Sequence, residues 1–145
     1  MIRSVEGTVC AKPVDDPIDV LVVEDSVELA EMYAFVLRAR GFTAEIAHTT
    51  IDAWGCIADL SPRLILLDID LGGDSGLDIL EELARRGGGC PEVPILIFTN
   101  SESAEHRRRA HDAGATGYLI KANVRPARLV ETVRAALDRP QPATS

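Results

Sequence analysis

The chain has 145 residues, of which 46% are hydrophobic and 26% charged, and its net charge is −8. That length suits one domain with its own core, and the charge excludes a general affinity for nucleic acid or anionic membrane. The apolar runs, such as Leu64–Leu67 and Ile95–Phe98, fall far short of the roughly 20 residues of a membrane span. Met1-Ile2-Arg3-Ser4 lacks the apolar stretch of a signal peptide, so a cytoplasmic protein is expected.

Residues 1–17 read as an arm, broken by Pro13, Asp15, Asp16 and Pro17. Ile18–Val23 is a β-branched, apolar run that predicts a first strand, ending at Glu24-Asp25. Ser26 is placed to cap a helix. Leu29, Met32, Tyr33, Val36 and Leu37 mark one face of that helix, and Gly41 ends it. Residues 42–47 predict a second strand and Thr50–Leu60 a second helix. Leu64–Leu67 reads as a strand apolar on both faces, and Leu77, Leu80, Leu83 and Ala84 mark a third helix. After Gly87-Gly88-Gly89, a second doubly apolar strand covers Ile95–Phe98. Residues 103–113 predict a fourth helix, closed by Gly114. Tyr118–Ile120 is a fifth strand, and Leu129, Val130, Val133, Ala136 and Leu137 give the face of a last helix before a short tail.

Strands apolar on both faces, alternating with helices, predict an α/β fold: a doubly wound five-stranded parallel sheet with five helices. Ligands in such folds bind beyond the C-terminal ends of the strands. The residues there are Glu24 and Asp25, Asp68 and Asp70, Thr99, and Lys121. Three carboxylates in one place raise each other's pKa, and a hard divalent cation such as Mg²⁺ relieves the repulsion. A carboxylate is also a competent nucleophile toward phosphorus. Lys121 adds a positive charge and Thr99 a hydroxyl donor.

Val22-Val23-Glu24-Asp25-Ser26, Leu66-Leu67-Asp68-Ile69-Asp70-Leu71, Ile97-Phe98-Thr99 and residues 114–121 (Gly-Ala-Thr-Gly-Tyr-Leu-Ile-Lys) together resemble the receiver domain of two-component response regulators. The resemblance runs from about Ile18 to Leu137. It implies a flavodoxin-like (CheY-like) fold with strand order 2-1-3-4-5, over residues 18–138, between the arm at 1–17 and a tail at 139–145. It implies that Asp68 accepts a phosphoryl group. Glu24, Asp25, Asp68 and the backbone carbonyl of Asp70 would hold Mg²⁺. Thr99 and Lys121 would contact the phosphoryl group, and Thr99 with Tyr118 would form the switch. The expected partners are a sensor histidine kinase or phosphotransfer protein, a downstream protein target, and a second copy docked through the helix 4–strand 5–helix 5 face. Direct contact with nucleic acid or membrane is not expected, nor is turnover as an enzyme. No output domain is expected in this chain.

The chain departs from the family pattern at Ala122, where a proline after a cis bond is usual, and at Asn100, where Ala or Gly is usual. Gly72 and Ser75 replace a common proline and aspartate, changes expected to alter only loop stiffness. Two alternatives stand beside the leading reading. One is a receiver-like interaction module that no longer uses phosphate, suggested by Ala122 and Asn100. The other is a haloacid-dehalogenase-type phosphatase, suggested by Asp68-Ile69-Asp70 but lacking a late acidic cluster. The Asp70 carboxylate is either a solvent-facing group or an influence on the water that hydrolyses phospho-Asp68.

Arg107-Arg108-Arg109 is either a solvated face of the fourth helix or a docking patch for an acidic partner or a second copy. His48, His106 and His111 are expected to be surface imidazoles. Cys10, Cys56 and Cys90 are few and scattered, so neither zinc site nor disulfide is expected.

Overall fold

The β-branched and leucine-rich runs form the strands expected of them. In the computed structural model, which describes residues 17–138, these are β1 (Val20–Val23), β2 (Ala44–Ala47), β3 (Leu64–Leu67), β4 (Ile95–Thr99) and β5 (Gly117–Ile120). The arm before Pro17, the tail after Asp138 and Cys10 lie outside the described residues. The strands make one parallel sheet in the order β2-β1-β3-β4-β5. Five α-helices connect or follow them: α1 (Val27–Ala39), α2 (Thr50–Leu60), α3 (Gly76–Arg86), α4 (Ala104–Asp112) and α5 (Pro126–Asp138).

Hydroxyl side chains set where the helices begin. Ser26, Thr49, Ser75 and Ser103 each accept a hydrogen bond from a backbone N–H of the helix that follows, satisfying donors the helix leaves unpaired. Pro126 opens α5, where its missing N–H is no loss. β1 and β2 start later than the apolar run suggests. Asp19 and Thr43 exchange side-chain-to-backbone bonds of 2.8 and 2.9 Å there, in place of ladder bonds.

The sheet separates two cores. On β3, Ile65 and Leu67 face the core shared with α2, α3 and α4, while Leu64 and Leu66 face the one shared with α1 and α5. All four side chains are essentially inaccessible to solvent, each worth about 1.5–3 kcal/mol in transfer from water.

This packing fixes the register that matters for the site. Val23 pairs with Ala47 and Leu67, and Thr99 with Ile120. The next residues, Glu24, His48, Asp68 and Lys121, therefore emerge along one edge, level with Thr99.

One element was not expected from the sequence. Asp70–Leu71 pairs antiparallel with Asp74–Ser75 in a minimal hairpin. Its tip is Gly72-Gly73, with φ of +63° and +109°. Tight two-residue hairpin turns with both φ values positive are built from such glycines. A proline at position 72 is excluded by that backbone. The two departures in this loop thus do more than change stiffness: Gly72 makes the turn and Ser75 caps α3.

The expectation of a reduced thiol holds for Cys90, which is exposed and free. Cys56, a residue of α2, is wholly buried.

Candidate functional site

Beyond the C-terminal edge of the sheet lies an open pocket of about 410 Å³, lined by Glu24, Asp25, Asp68, Asp70, Thr99, Asn100, Ser101 and Lys121. Every phosphoryl- or metal-site residue expected from the sequence is in that lining. Glu24, Asp68 and Thr99 are the buried polar or charged residues among those described. Asp25 is exposed at the mouth.

Lys121 is the centre of the arrangement. Its Nζ donates to Glu24 Oε1 at 2.5 Å and to Asp68 Oδ2 at 2.8 Å, with all three side chains less than a tenth exposed. Asp68 Oδ1 accepts the Asp70 N–H at 3.1 Å, and Glu24 Oε2 accepts the Ser26 N–H at 3.2 Å. Burial pushes the Glu24 carboxyl above its ordinary value, against the pull of the Lys121 ammonium. Burial also works to lower the Lys121 ammonium, but its bonds to Asp68 and Glu24 together hold it above its ordinary value. The ammonium therefore stays charged at neutral pH.

One carboxylate oxygen from each of Glu24, Asp25 and Asp68 lies within 4.8 Å of the other two. Three carboxylates against one ammonium leave the pocket negative, and an all-oxygen donor set suits a hard divalent cation. The donor chemistry thus fits Mg²⁺.

Lys121 reaches this position without a proline after it. No cis peptide occurs among the described residues, so the Lys121–Ala122 bond is trans. Lys121–Asn123 instead forms a single 3₁₀ turn. Asn100 is exposed and lines the same pocket.

The two residues expected to form a switch meet at a third. Thr99 Oγ1 accepts the Ser101 N–H at 3.4 Å, and the Tyr118 hydroxyl donates to the Ser101 carbonyl at 2.8 Å. Arg107 lies over the Tyr118 ring, 4.6 Å from its centroid. Of the basic run on α4, Arg109 makes two bonds to Glu81 on α3, at 2.7 and 2.9 Å. Arg108 is exposed. The run is therefore not one free patch, since Arg107 and Arg109 are engaged within the domain.

The surface reading holds for His111 and not for His48 or His106. His111 is 90% exposed. His48 directly follows β2 and donates Nδ1–H to the Glu24 carbonyl at 3.0 Å. His106 is half-buried, with Nδ1 2.6 Å from Ser101 Oγ. His48 was legible in principle, because β2 ends on the same edge as the acidic residues; Ser101 and His106 carry no motif. Glycine matters once more here: a Cβ at Gly76 would lie 2.0 Å from the Asp68 carbonyl oxygen. Only glycine lets α3 start directly beneath Asp68.

A parallel sheet in this order, with an acidic pocket beyond its C-terminal edge, defines a doubly wound, flavodoxin-like domain. Residues 20–134 match the family described as response regulator receiver domain, and the chain belongs to that family, the receivers of two-component systems. It is 35% identical over 120 residues to the DNA-binding response regulator MtrA of Mycolicibacterium paratuberculosis, covering 83% of this chain and 51% of that one. The chain spans about half the length of the curated relatives it matches. Among solved structures, it is similar to a CheY-like receiver domain protein of Methanospirillum hungatei. The TM-score is 0.76 at 27% identity, over 85% of this chain and 95% of that one. A response regulator of Burkholderia pseudomallei, solved with a phosphorylated aspartic acid and a calcium ion, gives a TM-score of 0.70 at 29% identity. That match covers 83% of this chain and 66% of the other. No helix among the described residues is long and apolar enough to cross a membrane.

Proposed function

We propose that this domain is a phosphorylation-operated switch in which Asp68 is the phosphoacceptor. The observation that carries the reading is the Lys121 ammonium bound to both Glu24 and Asp68 beside Asp25. A cationic side chain and two further carboxylates meet around one buried nucleophile, at the end of a receiver-family sheet. In the reaction, an Asp68 carboxylate oxygen forms a bond to phosphorus as the P–N bond of a partner's phosphohistidine breaks. The departing imidazole keeps the electron pair and takes a proton. Lys121 pairs with the phosphoryl oxygens and Thr99 donates its hydroxyl to one of them. Glu24, Asp25, Asp68 and the Asp70 carbonyl would hold Mg²⁺, which when bound neutralises the oxygens of the incoming group. The domain turns over only its own acyl phosphate and is not an enzyme for a free substrate.

The partners in this reading are a histidine kinase or phosphotransfer protein and a downstream protein target. A second copy would meet the α4–β5–α5 face when Thr99 and Tyr118 rearrange. The domain occupies residues 18–138 and works in the cytoplasm. At a net charge of −8 we give it no direct role in contacting nucleic acid. The test is incubation with acetyl phosphate and Mg²⁺, read by intact mass spectrometry. Wild type should gain one phosphoryl group and Asp68→Asn none; an equal adduct on both would remove Asp68 from the role.

A further inference from the structure

Ser101 uses every polar group it has. Its N–H goes to Thr99 Oγ1, its carbonyl accepts from Tyr118, and its hydroxyl meets His106 Nδ1 at 2.6 Å and accepts the Ser103 N–H at 3.3 Å. With the imidazole neutral, the hydroxyl donates to Nδ1 while accepting from Ser103, so all these groups are satisfied together. We propose that His106 is a positioning residue of the switch. By holding the Ser101 hydroxyl, it fixes the Ser101 peptide on which both the Thr99 hydroxyl and the Tyr118 ring are docked.

The geometry makes the coupling direct. The N–H and the carbonyl of Ser101 belong to the two peptide units that flank its Cα. Turning those units away from Thr99 and Tyr118 would carry the Ser101 Cβ and its hydroxyl off His106, so the 2.6 Å bond opposes that rotation. α4 grips this point twice within its first turn: His106 holds Ser101, and the next residue, Arg107, covers the face of Tyr118. The bond into Thr99 also sets what that hydroxyl can do. Because Oγ1 accepts from Ser101, its own proton is left to donate into the pocket. A single hydrogen bond biases a local equilibrium by about two- to tenfold, so His106 should tune the switch rather than make or abolish it.

The proposal rests on the reading of Thr99 and Tyr118 given above, and its primary test does not require phosphorylation. Amide exchange of residues 100–103 and the Tyr118 ring resonances are measured by NMR without Mg²⁺ or phosphodonor, in wild type, Ser101→Ala, His106→Leu and His106→Asn. Exchange should rise about two- to tenfold in Ser101→Ala and His106→Leu, with Tyr118 resonances shifting the same way in both. His106→Asn, whose amide sits near the position of Nδ1, should restore both. The rate of adduct formation from acetyl phosphate should then fall in the first two variants, with Mg²⁺ affinity unchanged. Unaltered exchange and Tyr118 resonances in both variants would overturn the proposal, as would an altered loop with an unaltered adduct rate. If wild type forms no adduct on Asp68, the phosphoacceptor reading fails, and the NMR comparison alone decides whether His106 positions the loop.

Discussion

Lys121 shows how much of the site rests on single residues. It is bonded to Glu24, 97 positions earlier, and to Asp68, 53 positions earlier. Removing one partner of a buried ionic cluster leaves the others uncompensated, at a cost of about 3–5 kcal/mol. Lys121→Met should therefore lower stability toward urea at pH 7 by about 3 kcal/mol. The loss should shrink as pH falls toward 4, because the Glu24 carboxyl, already pushed up by burial, takes a proton in place of the ammonium. A loss independent of pH would mean the lysine acts through packing alone. The residues of this cluster were legible in the sequence for a simple reason. Glu24, Asp25, Asp68 and Lys121 follow apolar runs, Thr99 ends one, and parallel register brings such ends together. Ser101 and His106 were not legible, because their contacts depend on the turn between Thr99 and α4, which no periodicity describes.

At the scale of elements, the start of α3 is the tightest junction. The Cβ of an alanine at position 76 would meet the Asp68 carbonyl oxygen at 2.0 Å, whereas one at Gly73 meets nothing within 4 Å. Gly76→Ala should destabilise the domain by at least the 1–3 kcal/mol typical of overpacking, and Gly73→Ala only by the roughly 1–2 kcal/mol of a left-handed backbone. Thermal unfolding of both variants compares them directly. Equal losses would show that the Asp68 contact is relieved by a backbone shift. The α3–α4 contact makes a separate prediction. The Arg109 guanidinium bonded to Glu81 holds that carboxyl below its ordinary value. A carboxyl lowered in the folded state contributes stability above its unfolded value near 4.3, and loses it as pH falls through the lower folded value. Both side chains are more than a third exposed, so the contribution is under about 1 kcal/mol. Urea midpoints of wild type and Glu81→Gln should differ slightly at pH 7 and converge near pH 3. Element positions were largely legible: α2 runs over Thr50–Leu60, the span expected for it. The 70–75 hairpin was not, since its four strand residues are too few to alternate.

For the whole molecule, the sheet is a partition with a separate core on each side. Ile65 lies in one core and Leu129 in the other. Ile65→Val should cost about 0.5–1.5 kcal/mol and Leu129→Ala about 2–5 kcal/mol. Because the two share no core, the double variant should lose the sum to within about 0.5 kcal/mol, measured by urea denaturation. A clear excess would mean that the sheet transmits repacking from one face to the other. The partition itself could be read from the sequence, because Leu64–Leu67 and Ile95–Phe98 are apolar at every position and a strand with one wet face would not be.

The span of the Lys121 contacts bears on how the chain is made. Synthesis delivers Glu24 first, Asp68 next and Lys121 last, at the end of the edge strand. A nascent chain that has already paired β1 with β3 holds Glu24, Asp25 and Asp68 side by side before the Lys121 ammonium has been made. Docking of β5 then brings the ammonium into that negative field, so the last strand of this sheet to be made is drawn to its place by the unbalanced charge at the ends of the earlier ones.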